Sequence, residues 1–200
     1  MDNLLVYGCS FTYGQGLADC NERPYPKPSQ LGYAKLLESE LNVNVLNYAQ
    51  PGASNCKILY KILNTPIQSS DSVLIQWSFY NRSFIFFEDE NKNGDIGPWG
   101  DISIIDKFYE VHPDKDLLMK SYLSIHHANM YLKTKCKNVY NLIISYDSIH
   151  KGIKPDWFDI KYLPISFYPI LSDRASDGSH PGIKNNMIIS KIVSNYIKRI

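Results

Sequence analysis

Short apolar runs alternate with amphipathic stretches along this chain, and that alternation restricts the architecture more than any other feature. Leu4-Leu5-Val6-Tyr7, Val43–Tyr48, Ser72–Ser78, Val139–Tyr146 and a weaker Tyr162–Phe167 read as strands. Between them, Ser29–Leu41 carries Leu31, Ala34, Leu37 and Leu41 at helical spacing. A second helix opens near Ser54, whose hydroxyl suits a cap, with Ile58, Leu59, Ile62 and Leu63 on its apolar side. Asp114 to about Lys135 is predicted as a long helix with Leu118, Tyr122, Ile125 and Leu132 inward. The closing helix, Lys184 to about Lys198, is expected to bury Met187, Ile188, Ile192 and Tyr196. Strands separated by helices pair in parallel and are covered on both faces. The expected fold is therefore α/β, one domain over residues 1–200 with a central parallel sheet of about five strands.

Phe84–Pro113 interrupts this rhythm and is expected to be a hairpin or an excursion over one end of the sheet. Within it, Asp89-Glu90-Asn91-Lys92-Asn93-Gly94-Asp95 resembles half of a calcium loop, but its closing ligand would fall on Gly100. An Asn-Gly hairpin turn explains the same residues, and no metal is assigned.

Right-handed crossovers put the C-terminal ends of all strands on one edge, outside which ligands bind in such sheets. Ser10, Gly52 and the Ser78–Asn81 segment each follow a strand, and Asp177–His180 follows the last one. Asp177-Gly178-Ser179-His180 places a carboxylate three residues before an imidazole, so Asp177 can hold one ring nitrogen while the other serves as a base. Ser10, just past a strand and Gly8, is the hydroxyl that such a base would activate. The amides of Ser10 and Gly52 suit a developing oxyanion, with the Asn81 side chain as a third donor. Asn55 and Ser78, beside these turns, are expected to contact substrate.

Three blocks in this order resemble the SGNH hydrolases, also called GDSL-like esterases and lipases. They are Tyr7-Gly8-Cys9-Ser10-Phe11-Thr12, Asn47-Tyr48-Ala49-Gln50-Pro51-Gly52-Ala53-Ser54-Asn55, and Asp177 to His180 followed by Pro181 and a final helix. The resemblance spans the chain and implies a three-layer, flavodoxin-like fold with a Ser10–His180–Asp177 triad and no cofactor. It implies hydrolysis of a small acyl ester, with a carbohydrate ester suggested by analogy and by the fifteen tyrosines. Two departures stand out. Cys9 occupies the place of the family's Asp, and the third block reads Gln76-Trp77-Ser78-Phe79-Tyr80-Asn81-Arg82 in place of Gly-x-Asn-Asp. Asn81 then lies about one residue late, so Asn81, Ser78 or Arg82 supplies the third donor.

A net charge of +1 gives no general attraction to nucleic acid or anionic membranes. Cys9, Cys20, Cys56 and Cys136 are too dispersed for a compact metal cluster. No leader-like or membrane-length apolar segment is seen, so free thiols and a cytoplasmic location are expected. His112, His126, His127 and His150 lack a partnered motif and are expected at the surface or rim. Gly14 and Gly16 read as a flexible loop beside Ser10, because no third glycine opens a dinucleotide-binding helix. An O-acyltransferase with the same triad, and a non-catalytic binding or assembly protein on the same fold, remain alternatives. Oligomeric state is not legible in the sequence.

Overall fold

The computed structural model describes residues 2–86, 94–98, 102–145, 160–167 and 172–199. β1 (Asn3–Tyr7) and β3 (Ser72–Trp77) are buried almost throughout, which is why they read as unbroken apolar runs. With β2 (Asn44–Asn47), β6 (Asn138–Ile143) and β7 (Tyr162–Ser166) they form a five-stranded parallel sheet in the order β2-β1-β3-β6-β7. That order, with its reversal between β1 and β3, is the flavodoxin-like arrangement.

Short α1 (Ser10–Tyr13) follows β1, while α2 (Tyr33–Leu41) and the closing helix α6 (Ile183–Ile197) pack against each other. α3 (Asn55–Leu63) and α5 (Asp114–Lys133) likewise form a pair. Helices thus cover the sheet in a three-layer α/β fold. Trp77, Tyr7, Tyr33 and Tyr122 are the bulkiest of its fully buried side chains. Among the described residues, no helix is long and apolar enough to cross a membrane.

Three sequence expectations shift. α2 begins at Tyr33 instead of Ser29, because Ser29 and Gln30 are held in a turn by Asp19: Ser29 Oγ donates to Asp19 Oδ1 at 2.5 Å and the Gln30 amide to Oδ2 at 2.6 Å. The Ser29 hydroxyl also accepts from the Leu31 amide at 3.0 Å. α6 turns only half of the expected face inward: Ile192 and Tyr196 pack against the core, but Met187 and Ile188 are 46% and 43% exposed. Ile189, Val193 and Ile197 are buried instead, together with Asn185, Asn186, Ser190 and Ser194. Those polar side chains are satisfied internally: Asn186 accepts from the Tyr33 amide at 2.8 Å and donates to the Pro181 and Gly182 carbonyls. Ser190 and Ser194 donate to carbonyls one turn back. At α5, Pro113 is the cap residue and Asp114 is in the first turn, where its charge favours the helix dipole. Ser54 does cap α3, accepting from the Lys57 amide at 3.2 Å.

The excursion contains β4 (Ser83–Ile85) paired antiparallel with β5 (Gly94–Ile96), then α4 (Ile102–Val111). Its hairpin is tied to α3 by a 2.5 Å ion pair between Lys57 and Asp95 and by contacts of the Tyr60 ring with Phe84 and Phe86. Asp89–Asn93 lie outside the described residues.

Candidate active site

Ser10 stands at the start of α1, immediately beyond β1. The turn demands glycine at position 8, where a Cβ would lie 2.3 Å from Thr12 Oγ1 and 2.7 Å from its Cβ. α1 stops after one turn at Gly14, whose φ of 82° is left-handed and whose amide donates to the Ser10 carbonyl at 3.0 Å.

Beneath this turn lies a polar cluster of wholly buried side chains. Gln76 Oε1 accepts from Thr12 Oγ1 at 3.0 Å and from Cys9 Sγ at 3.5 Å. The single Thr12 hydroxyl proton is thereby used, so the Tyr33 hydroxyl, 2.8 Å away, is the donor to Thr12. Burial pushes the Tyr33 phenol pKa well up, keeping that proton in place. Cys9 points into this cluster and is 0% exposed, whereas Ser10 lines an open pocket of about 790 Å³.

His180 and Gly52 line the same pocket. Asp177 Oδ2 is 2.6 Å from His180 Nδ1, and its Oδ1 accepts from the Ser179 and His180 amides at 3.0 Å each. A carboxylate at Nδ1 places the ring proton there, which leaves Nε2 as the acceptor. The loop is fixed from below by Gly16, whose carbonyl accepts from the Ser176 amide at 3.1 Å and hydroxyl at 2.8 Å. A Cβ on Gly16 would come within 2.7 Å of Asp177 Oδ2, so this glycine is the floor of the Asp177 turn as well as part of the Ser10 loop. The imidazole also packs edgewise on Phe11, with centroids 5.4 Å apart. Ser10 Oγ and His180 share the pocket without a direct hydrogen bond.

Gly52 has a φ of 79°, a conformation that is costly for any residue with a Cβ. Asn55 and Ser78 meet each other rather than the pocket. The Ser78 amide donates to Asn55 Oδ1 at 2.7 Å, while Asn55 Nδ2 donates to the Ser78 carbonyl at 3.1 Å and to Ser121 Oγ at 2.6 Å. These residues are 2% and 0% exposed, so they splice the end of β3 to α3 and α5. Asn55→Ala should therefore cost about 1–3 kcal/mol for each buried group left unpaired, read as a lower urea midpoint.

Asn81 does not line the pocket among the described residues; its carbonyl accepts from the Tyr109 hydroxyl at 2.6 Å. Arg82 does, with Nη1 3.0 Å from Ser78 Oγ and its guanidinium 4.7 Å from the Phe79 ring centre. The described hairpin of the excursion packs on α3, and no described residue of 84–113 is among those lining the Ser10 pocket. Sequence reasoning passed over the Arg23-Pro24-Tyr25 lip, which the Tyr13 hydroxyl ties to α1 through the Tyr25 carbonyl at 2.9 Å. It also passed over Gln76, although a glutamine inside Val73-Leu74-Ile75-Gln76-Trp77 was itself a signal. Of the other histidines, His112 pairs with Asp116 at 2.8 Å, and His150 lies outside the described residues. Among those residues, no group of three or more His, Cys, Asp or Glu is arranged to hold a metal.

No protein-family model matches this sequence, and no curated protein matches it either. Solved structures do match along the whole chain. A member of the lipolytic protein G-D-S-L family from Veillonella parvula DSM 2008 superposes with a TM-score of 0.55 at 14% identity, covering 100% of both chains. A carbohydrate esterase superposes at 0.61 with 11% identity, over 100% of this chain and 69% of its own. An arylesterase structure from Agrobacterium tumefaciens str. C58 gives 0.52 at 12% identity, covering 100% of both. This chain has the SGNH hydrolase fold. On the SGNH fold, the rim at the strand ends is where Ser10, Gly52 and His180 meet.

Proposed function

We propose that this protein is a serine ester hydrolase acting through Ser10, His180 and Asp177. The observation that carries this reading is one pocket lined by Ser10, Gly52 and His180, with Asp177 on the far nitrogen of the imidazole. His180 Nε2 takes the Ser10 proton as Oγ attacks the ester carbonyl carbon. The amides of Ser10 and Gly52 receive the oxyanion, and Asp177 stabilises the imidazolium. The tetrahedral intermediate collapses, Nε2 returns the proton to the departing alcohol, and an acyl-serine remains. Water, deprotonated by the same nitrogen, then releases the acid and restores Ser10. The pocket suits a small acyl ester, and the likeness to carbohydrate esterases favours a sugar as the alcohol. The test is product analysis on p-nitrophenyl acetate with and without added sugars. Free acetate in both cases is expected, whereas acetylated sugar would make the protein a transferase.

Two amides form the cradle in this reading, because Asn81 is absent from the described lining of the pocket. Asn81→Ala is expected to leave kcat/KM within about threefold, where loss of a true oxyanion donor costs about 10²–10³ in kcat. A hundredfold loss would restore Asn81 as the third donor.

A further inference from the structure

Two departures from the SGNH blocks meet in space. That pattern has a carboxylate at position 9 and a glycine at position 76. This chain has a donor, Cys9, and an acceptor, Gln76, with Sγ and Oε1 3.5 Å apart. Gln76 follows Ile75, the β3 partner of Tyr7, and so lies level with Gly8 at the start of the Ser10 turn. Its amide is oriented by the Trp77 carbonyl, which can only accept, and does so from Nε2 at 2.7 Å. Oε1 therefore faces the Thr12 hydroxyl and the Cys9 thiol and accepts from both. Tyr33, Thr12, Gln76 and Cys9 are all 0% exposed, so water replaces none of these bonds when one is lost.

Gln76 thus holds the chain on both sides of Ser10, at Cys9 before it and at Thr12 two residues on. The Cys9 carbonyl accepts from the Tyr13 amide at 3.0 Å, and across a trans peptide the Ser10 N–H then points the opposite way. The Ser10 carbonyl is fixed in turn by the Gly14 and Gln15 amides at 3.0 and 3.1 Å.

We infer that Gln76 is a positioning residue for the reaction, holding through Cys9 and Thr12 the Ser10 peptide whose amide meets the oxyanion. Gln76 is wholly buried and absent from the described pocket lining, so it acts through the turn and not on substrate. A cradle amide works only if it is aimed before the charge develops, and a misplacement of about 1 Å costs about 10²-fold. The effect on catalysis rests on the hydrolase reading above; the hold on the turn rests on the hydrogen bonds alone.

Two measurements separate these claims. In the first, Gln76→Met, of similar length but without the acceptor, should lower kcat on p-nitrophenyl acetate about 10- to 100-fold with KM within about threefold. The pH midpoint of kcat/KM should stay that of the wild type, because His180 is untouched. Thr12→Val, which removes the other end of the bond, should also lower kcat, and Thr12→Ser should recover most of the loss. The double variant Gln76→Met with Thr12→Val should lose less than the product of the two single losses, because they share a bond. Thermal unfolding confirms the fold of each, and if Gln76→Met does not fold, the comparison of Thr12→Val with Thr12→Ser decides. In the second, hydrogen exchange reads the turn without turnover. The Tyr13 and Gly14 amides should exchange faster in Gln76→Met and Thr12→Val, while the Ile58 amide, bonded to the Ser54 carbonyl at α3, is unchanged. Faster exchange there with no ester cleavage by the wild type would overturn the reaction and uphold the hold on the turn. A kcat within about threefold of the wild type in both Gln76→Met and Thr12→Val, a loss that Thr12→Ser does not recover, or unmoved Tyr13 and Gly14 amides overturns the proposal.

Discussion

Ser10→Ala should reduce hydrolysis of p-nitrophenyl acetate by about 10³-fold or more, with the thermal unfolding midpoint almost unchanged. A triad acts as a unit, so removing its nucleophile abolishes the acyl-enzyme route and leaves only what the cradle and pocket contribute. Ser10 lines the pocket, and the turn is shaped by Gly8, Thr12 and Gln76. A Cys9→Ser variant is the informative contrast. Cys9 is a buried donor to Gln76, so its replacement should retain activity. If Cys9 were the nucleophile, the two variants would behave the other way round.

Asp177→Asn should lower kcat on the order of 10³–10⁴-fold, because an amide at Nδ1 no longer fixes the productive tautomer or stabilises the imidazolium. The lower end is expected, since the Asp177 side chain is 32% exposed and water replaces part of its effect. Stability should respond to pH in a defined direction. Burial alone would raise the Asp177 pKa, but the Ser179 and His180 amides and the His180 ring together hold it below its ordinary 3.8. A carboxyl depressed in the folded state stabilises the fold fully above its unfolded pKa and loses that contribution as pH falls through the folded value. The Tm difference between wild type and Asp177→Asn should accordingly be widest above about pH 4 and narrow on further acidification. Solvent exposure keeps this difference small. A gap that widens in acid would mean that the Asp177–His180 contact is not formed.

The parts of this molecule legible in its sequence are those set by local chemistry. Val73-Leu74-Ile75 could only be a doubly covered strand, and Ser54 caps α3 because its hydroxyl reaches the Lys57 amide within one turn. That Ser10, Gly52 and His180 would come to one pocket was legible because each sits after a strand or in a tight turn, where the sheet itself aligns them. What failed was whatever depended on distant partners. α6 turns Asn185 and Asn186 inward because Tyr33, Pro181, Gly182 and Asp173 satisfy them, and hydrophobic periodicity counts a satisfied asparagine as a surface one. Asn55 resembled a pocket residue in its block, yet its amide is used up by Ser78 and Ser121. Past β3, one residue of register decides whether Asn81 or Arg82 meets the pocket, and spacing cannot settle that. The Arg23–Tyr25 lip is brought in by a tertiary hydrogen bond from Tyr13, with no motif to announce it.

The central claim is that Ser10 is the nucleophile activated by His180. Labelling with a fluorophosphonate, followed by peptide mapping, tests it most directly, because the reagent captures an activated serine without needing the natural substrate. The account predicts a single adduct on the Ser10 peptide, absent in Ser10→Ala and slowed at least a hundredfold in His180→Ala. No adduct on the folded wild type, or an adduct whose rate is indifferent to His180, would contradict it.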